Sequence, residues 1–180
     1  IQKNEIEVLV VIEPRACEDS RGFFFESYNK KTWQAAGLNY DFVQDNVSWS
    51  KKGVLRGLHM QVGNSAQAKL VSVMQGAVLD VAVDLRKGSS TFKKHVAIEL
   101  SFENKKQLMI PRGFAHGFVV LSENAVFSYK CDNGYDLNAE RGILYNDSEL
   151  AIDWGVPESE LIVNEKNLKN LYLRKVSNLL

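Results

Sequence analysis

The chain has 180 residues, 45% of them hydrophobic, and its 22 Lys and Arg balance its 22 Asp and Glu. That length can bury a core without disulfide or metal staples, and a net charge of zero leaves no electrostatic case for wrapping nucleic acid or lying on an anionic membrane. No apolar run approaches the roughly 18–20 residues of a spanning helix, Ile1–Glu7 is not built like a signal peptide, and the two isolated cysteines, Cys17 and Cys131, fit free thiols in a cytoplasmic protein.

In chain order, Glu7–Glu13 reads as a first short strand closed by Pro14, and Glu18–Gly22 as a turn into a second strand, Phe23–Tyr28. Lys30–Ala36 has helical character and stops at Gly37. Further strands are expected at Asn39–Val43, Val54–Gln61, Lys69–Met74, Ala77–Leu85, Lys94–Ser101, Gln107–Ile110, Ala115–Leu121 and Ala125–Cys131. Each is short, rich in Val, Ile, Leu and Phe, and bounded by Gly, Asn, Ser or Lys clusters. Such spacing predicts an all-β chain, an antiparallel barrel or a double-sheet jelly roll, forming one domain over residues 1–180. Short helical turns are expected mainly near the N-terminus and in the tail, about 157–180.

Alternation places side chains on faces. Leu55, Gly57, His59 and Gln61 share one face of their strand; Lys69 shares one with Val71 and Val73; Tyr129 shares one with Ala125, Phe127 and Cys131. If the apolar faces line the barrel, His59, Lys69 and Tyr129 converge inside it as a base, a cation and a phenol. Taken singly, each has an ordinary reading: a hydrogen-bonded core histidine, a lysine snorkelling at a strand end, a packed tyrosine. Their convergence is what points to chemistry.

Pro111-Arg-Gly-Phe-Ala-His116 matches the P-x-G-x-x-H pattern of cupin barrels, and Gly53–Gln61 stands where an earlier cupin motif belongs. Metal-binding cupins carry His-x-His there; this chain reads His59-Met-Gln61, with no carboxylate in the next dozen residues. Three histidines in all leave a standard divalent site short of ligands, so no metal is expected.

A wider set of blocks is more specific. Asp19-Ser-Arg-Gly-Phe-Phe-Phe-Glu26, Phe42-Val-Gln-Asp-Asn46, Val54-Leu-Arg-Gly-Leu-His59, Ala66-Gln-Ala-Lys-Leu-Val71, Leu79–Arg86, Ile110–Val119 and Phe127-Ser-Tyr-Lys130 with Tyr135 and Glu140-Arg-Gly resemble the dTDP-4-dehydrorhamnose 3,5-epimerase family. They follow family order from about residue 8 to 155. The resemblance implies a cupin-type double-sheet jelly-roll barrel that epimerises C3 and/or C5 of a nucleotide-linked 4-keto sugar, hexose or heptose, without a cofactor, in deoxysugar or surface-polysaccharide synthesis. It implies a cytoplasmic homodimer whose N-terminal strands cross to the partner.

By the same resemblance His59 is the base, Tyr129 the acid on the opposite ring face, and Lys69 the stabiliser of the enolate, with Asp80 and His116 supporting them. Arg21 and Arg56 would hold the diphosphate, and Phe24, Glu26, Gln44, Asn46, Tyr135 and Glu140 would lie near sugar or base. Strict alternation puts Arg56 opposite His59, so its assignment requires a bulge near Gly57. In the tail, Val163-Asn-Glu-Lys-Asn167 places Asn167 where the family's pattern has an aspartate facing the histidine, with Glu165 as a substitute carboxylate. Two other readings stay open: a 3,4-ketoisomerase on the same scaffold, and a non-catalytic sugar-nucleotide binder.

Overall fold

The structure, a computed structural model, describes residues 2–3 and 6–176. Its elements run β1 (Gln2–Lys3), β2 (Val10–Ile12), β3 (Cys17–Asp19), β4 (Gly22–Phe24), α1 (Lys30–Ala35), β5 (Gln44–Lys51), β6 (Val54–Gln61), β7 (Lys69–Gln75) and β8 (Ala77–Asp84). They continue with β9 (His95–Ser101), β10 (Gln107–Ile110), β11 (Phe114–Val120), β12 (Asn124–Cys131), β13 (Glu140–Gly142), β14 (Ile162–Val163), α2 (Glu165–Leu168) and α3 (Leu173–Val176). Two sheets dominate, ordered β1-β2-β10-β7-β12-β5 and β13-β6-β11-β8-β9, with β14 added beside β6. This is the expected cupin-type double sheet. Of the tail expected to be partly helical, α2 and α3 are short helices, while residues 177–180 lie outside the described residues. No helix among the described residues is long and apolar enough to cross a membrane.

Burial explains why both sheets carry apolar residues on two faces. Val71, Val73, Val78, Ala82, Phe118 and Phe127 pack between the sheets and form the barrel interior. The outer face of the second sheet, with Leu55, Leu58, Val81, Val83 and Val119, is covered by the C-terminal segment through Ile143, Tyr145, Trp154 and Leu173. The outer face of the first sheet is covered at Leu70 and Met109 by Trp33 of α1, flanked by Tyr28 and Phe42. Each covering segment removes one sheet face from water, so most of β8 and β11 is buried on both sides.

Three expectations need correction. The first strand is shorter than Glu7–Glu13, because a turn through Ile6–Leu9 precedes β2. The strand expected over Phe23–Tyr28 stops at Phe24, where the chain leaves its hairpin partner β3. Asn39–Val43 is irregular; its aromatics pack laterally on Trp33 and Tyr28 instead of joining a ladder. The strand that forms just after it, β5, is one the apolar criterion passes over. Gln44, Asn46, Ser48 and Ser50 turn inward, and Val47 and Trp49 turn out, 70% and 56% exposed. A strand whose inward face lines a polar cleft inverts the usual pattern of apolar inside and polar outside.

The bulge required for Arg56 is present. Along β6 and β11, His59 pairs with His116 but Arg56 pairs with Phe118, so the register slips across Gly57. Gly57 has φ of +136°, and a Cβ there would lie 2.5 Å from the Gly117 Cα and 2.9 Å from the His116 carbonyl. Only glycine fits without displacing β11. Gly57→Ala is therefore expected to lower unfolding free energy by about 2–4 kcal/mol and to disperse Arg56 and His59, read as a lower denaturant midpoint together with weakened nucleotide binding.

Candidate active site

One cleft opens into the barrel between the sheets, and two connected lobes share Asn46, His59, Lys69 and Tyr129. The larger, about 450 Å³, is also walled by Ser48, Arg56, His116, Phe118, Phe127, Asn164 and Asn167. The smaller, about 270 Å³, adds Gln44, Gln67, Cys131, Tyr135 and Glu140. The pleat explains the convergence. Tyr129 of β12 stands directly between Asn46 of β5 and Val71 of β7, and Cys131 stands between Gln44 and Lys69. Alternate residues of three neighbouring strands thus point to the same space.

His59 Nε2 lies 2.8 Å from Asn167 Oδ1. Burial pushes the imidazole below its ordinary pKa of 6.5, opposed by the Asn167 contact and the Glu140 charge and reinforced by Lys69 and Lys166. The ring is therefore neutral at pH 7. The Lys69 ammonium has no hydrogen-bond or ion-pair partner among the described residues and sits 5.9 Å from the centre of the Tyr129 ring. Burial drives its pKa down, with partial relief from Cys131, Asp80 and Glu140. Burial likewise raises the Tyr129 phenol, which keeps its proton at neutral pH.

Asp80 is fully buried and meets His116, not His59: its Oδ2 lies 2.8 Å from His116 Nε2, and its Oδ1 has no hydrogen-bond partner among the described residues. It holds His116, which lines the larger lobe and stacks on Phe127 at 6.0 Å. Glu165 turns to solvent beside Lys169, so the substitute carboxylate considered for His59 does not reach it. The carboxylate of Glu140 lies in the smaller lobe, where one oxygen accepts both Tyr135 Oη at 2.8 Å and Lys166 Nζ at 2.7 Å. Burial raises its pKa, but those two bonds and the nearby His59 outweigh it, so Glu140 stays ionised.

Arg21, Phe24 and Glu26 do not join the cleft. Arg21 is paired with Asp19 on the exposed β3–β4 hairpin, Phe24 is 75% exposed, and Glu26 accepts from Asn29 at the start of α1. A hairpin outside both main sheets cannot turn its side chains into a barrel it does not line. Cys131 lines the cleft on the face it shares with Tyr129, whereas Ser48, Asn164 and Lys166 border or support it without carrying a signal of their own in the expected motifs. The polar alternation Gln44, Asn46, Ser48, Ser50 is the signal that would have found Ser48. Gln61, where metal cupins carry a histidine, is structural: its amide donates to Ser65 and Gly134 carbonyls and its carbonyl accepts from Asp136 N. Among the described residues no three His, Cys, Asp or Glu side chains converge as a metal site would require.

The family model for dTDP-4-dehydrorhamnose 3,5-epimerase matches residues 3–175. The chain belongs to that family. It is 54% identical over 160 residues to the dTDP-4-dehydrorhamnose 3,5-epimerase of Salmonella typhimurium, covering 88% of this chain and 86% of the relative. The crystal structure of the Elizabethkingia anophelis enzyme superposes with a TM-score of 0.92 at 54% identity, covering 97% of this chain and 96% of that one. The Legionella pneumophila 3,5-epimerase, solved with dTDP-4-keto-L-rhamnose, matches with a TM-score of 0.92 at 48% identity, covering 96% and 91%. The cupin-type epimerase expected from the motifs is thereby borne out, and the protein is an isomerase of this class.

Proposed function

We propose that this epimerase inverts C3 and/or C5 of a dTDP-linked 4-keto-6-deoxy sugar without metal or cofactor, using His59 as base, Tyr129 as acid and Lys69 as enolate stabiliser. The observation that carries the reading is the meeting of a neutral imidazole, an unpaired ammonium and a protonated phenol around one cleft. The substrate's own ketone is the electron sink, so the protein needs only to move protons and hold charge. His59 takes the proton from the carbon beside the ketone, and the electron pair shifts to the ketone oxygen as an enolate. Lys69 neutralises that oxygen. Tyr129 returns a proton to the carbon from the opposite ring face, and solvent resets both groups.

Arg56, held to Ser50 Oγ at 3.1 Å, offers a guanidinium at the rim of the larger lobe for the diphosphate. Gln44, Asn46, Tyr135 and Glu140 form a hydrogen-bonded wall for sugar or base: Gln44 accepts from Tyr135 N at 3.0 Å and donates to Asn46 Oδ1 at 2.9 Å. The outward projection of Arg21 and Phe24, with exposed Val47 and Trp49 on the edge strand β5, supports a homodimer in which the hairpin serves the neighbour's cleft. The two unpaired cysteines support a cytoplasmic setting.

The test is NMR of products from a panel of dTDP-, GDP- and CDP-linked 4-keto sugars, run with and without EDTA. Inversion at C3 or C5 of the dTDP sugar, undiminished by chelation, is expected. Loss of turnover with EDTA, restored by a divalent ion, would overturn the metal-free reading. Tyr129→Phe separates the two proton transfers. It should reduce net inversion far more than solvent exchange, because the enolate formed by His59 can still be reprotonated from the face it left. Equal losses in both readouts would reject a distinct acid.

A further inference from the structure

Asn167 is the least exposed polar side chain of the C-terminal segment that borders the cleft, with 2% of its surface accessible. Its position is fixed from its own helix: Asn164 caps α2 and its Oδ1 accepts from Asn167 N at 2.8 Å. The side-chain oxygen is committed to His59 Nε2. The side-chain nitrogen has no hydrogen-bond partner among the described residues, yet it is not among the polar atoms sealed from the cavity. A buried amide with one end satisfied and the other open to a polar cavity is half of an interaction.

Chemistry adds a consequence. An amide can present either oxygen or nitrogen to an imidazole, and the two orientations select opposite tautomers. With Oδ1 toward the ring, Nε2 carries the hydrogen and Nδ1 holds the basic lone pair; with the amide turned, Nε2 must be the acceptor. A carboxylate has no such choice. Whatever occupies Nδ2 therefore decides which nitrogen of His59 is basic.

We propose that Asn167 serves base and substrate with opposite ends of one amide, Oδ1 receiving the Nε2–H of His59 while Nδ2 donates to a sugar oxygen in the larger lobe. Sugar binding then locks the amide, and the locked amide holds His59 in the tautomer whose lone pair is on Nδ1. Asn167 is thus a specificity contact on the face of the ring where the base works. The proposal rests on the nucleotide-sugar reading of the cleft.

Asn167→Asp keeps size and the contact to His59 but cannot donate. It also adds a negative charge beside a ring on which Lys69, Glu140, Lys166, Tyr129, Arg56 and His116 border or act. Binding is measured with dTDP-glucose, whose sugar has no ketone to react, and with dTDP alone. The variant should bind dTDP-glucose about tenfold more weakly, since a donor is replaced by an acceptor facing an oxygen, with dTDP affinity unchanged. It should also raise the acid limb of kcat/KM on a 4-keto sugar by about 1 pH unit or more, because a carboxylate stabilises the imidazolium. Nitrogen-15 NMR of the native protein with dTDP-glucose should show the hydrogen of His59 on Nε2.

Unchanged dTDP-glucose affinity in Asn167→Asp, equal loss with dTDP alone, or a hydrogen on Nδ1 in the native complex would overturn the proposal. If no 4-keto sugar nucleotide is epimerised but the dTDP-glucose loss and the Nε2 tautomer are found, the reaction assignment fails and the amide contact stands. If the native protein does not bind dTDP-glucose, both fall.

Discussion

His59→Ala is expected to slow inversion and solvent exchange together, with kcat/KM lowered by about 10²–10⁴-fold, the usual worth of a positioned general base. No neighbouring group substitutes for it. Asp80 is engaged with His116, Glu140 is held by Tyr135 and Lys166, and the phenol of Tyr129 is kept protonated by burial. The pH profile carries the same signature. The pKa of His59 lies below 6.5, so the basic form is present above that value and is lost as pH falls through the lowered pKa. The acid limb of the native enzyme should accordingly fall below pH 6.5 and disappear from the residual rate of His59→Ala. A residual rate that keeps the limb would assign it to another group.

Lys69→Met should act in opposite directions on activity and stability. Methionine matches the length and apolar stem of lysine but removes the charge that meets the enolate. Loss of a preorganised donor to a developing oxyanion is worth about 10²–10³-fold in kcat, and substrate affinity should change much less because the charge arises in the transition state. The native ammonium is desolvated by burial, without a hydrogen-bond or ion-pair partner among the described residues, and shares its strand face with Val71 and Val73. Removing a charge from such a place should leave the fold at least as stable, on the order of 1 kcal/mol more. Kinetics with urea titration would read both. A variant that loses activity and stability together would mark Lys69 as a structural residue.

The strands β6, β7, β8, β10, β11 and β12 were legible because each satisfies the ordinary criteria of β-branched and aromatic residues bounded by turn formers. The same alternation brought His59, Lys69 and Tyr129 to one cleft, and the need for a bulge at Gly57 followed from asking Arg56 to share it. What was not legible depends on context that one strand does not carry. β5 escaped notice because its inward residues face a polar cleft and its apolar ones face out. Asn39–Val43 resembles a strand, but its aromatics cover the first sheet instead of extending it. Asp80 sits in a motif beside the site, and only its 2.8 Å contact to His116 shows that it supports that histidine rather than His59. The Asn167–His59 contact spans 108 residues, and the motif resemblance, not spacing, pointed to it.

The central claim is that the inverted carbon loses its hydrogen as a proton to this cleft and regains one from solvent. A single turnover with a dTDP-linked 4-keto-6-deoxy sugar in D₂O, quenched and read by NMR, tests it most directly. Each inverted centre, C3 or C5, should carry one deuterium, with none at C1 or C2, and the label should be absent with His59→Ala. Inversion that proceeds with the original hydrogen retained would contradict the account, because no proton would then have passed through His59 and Tyr129.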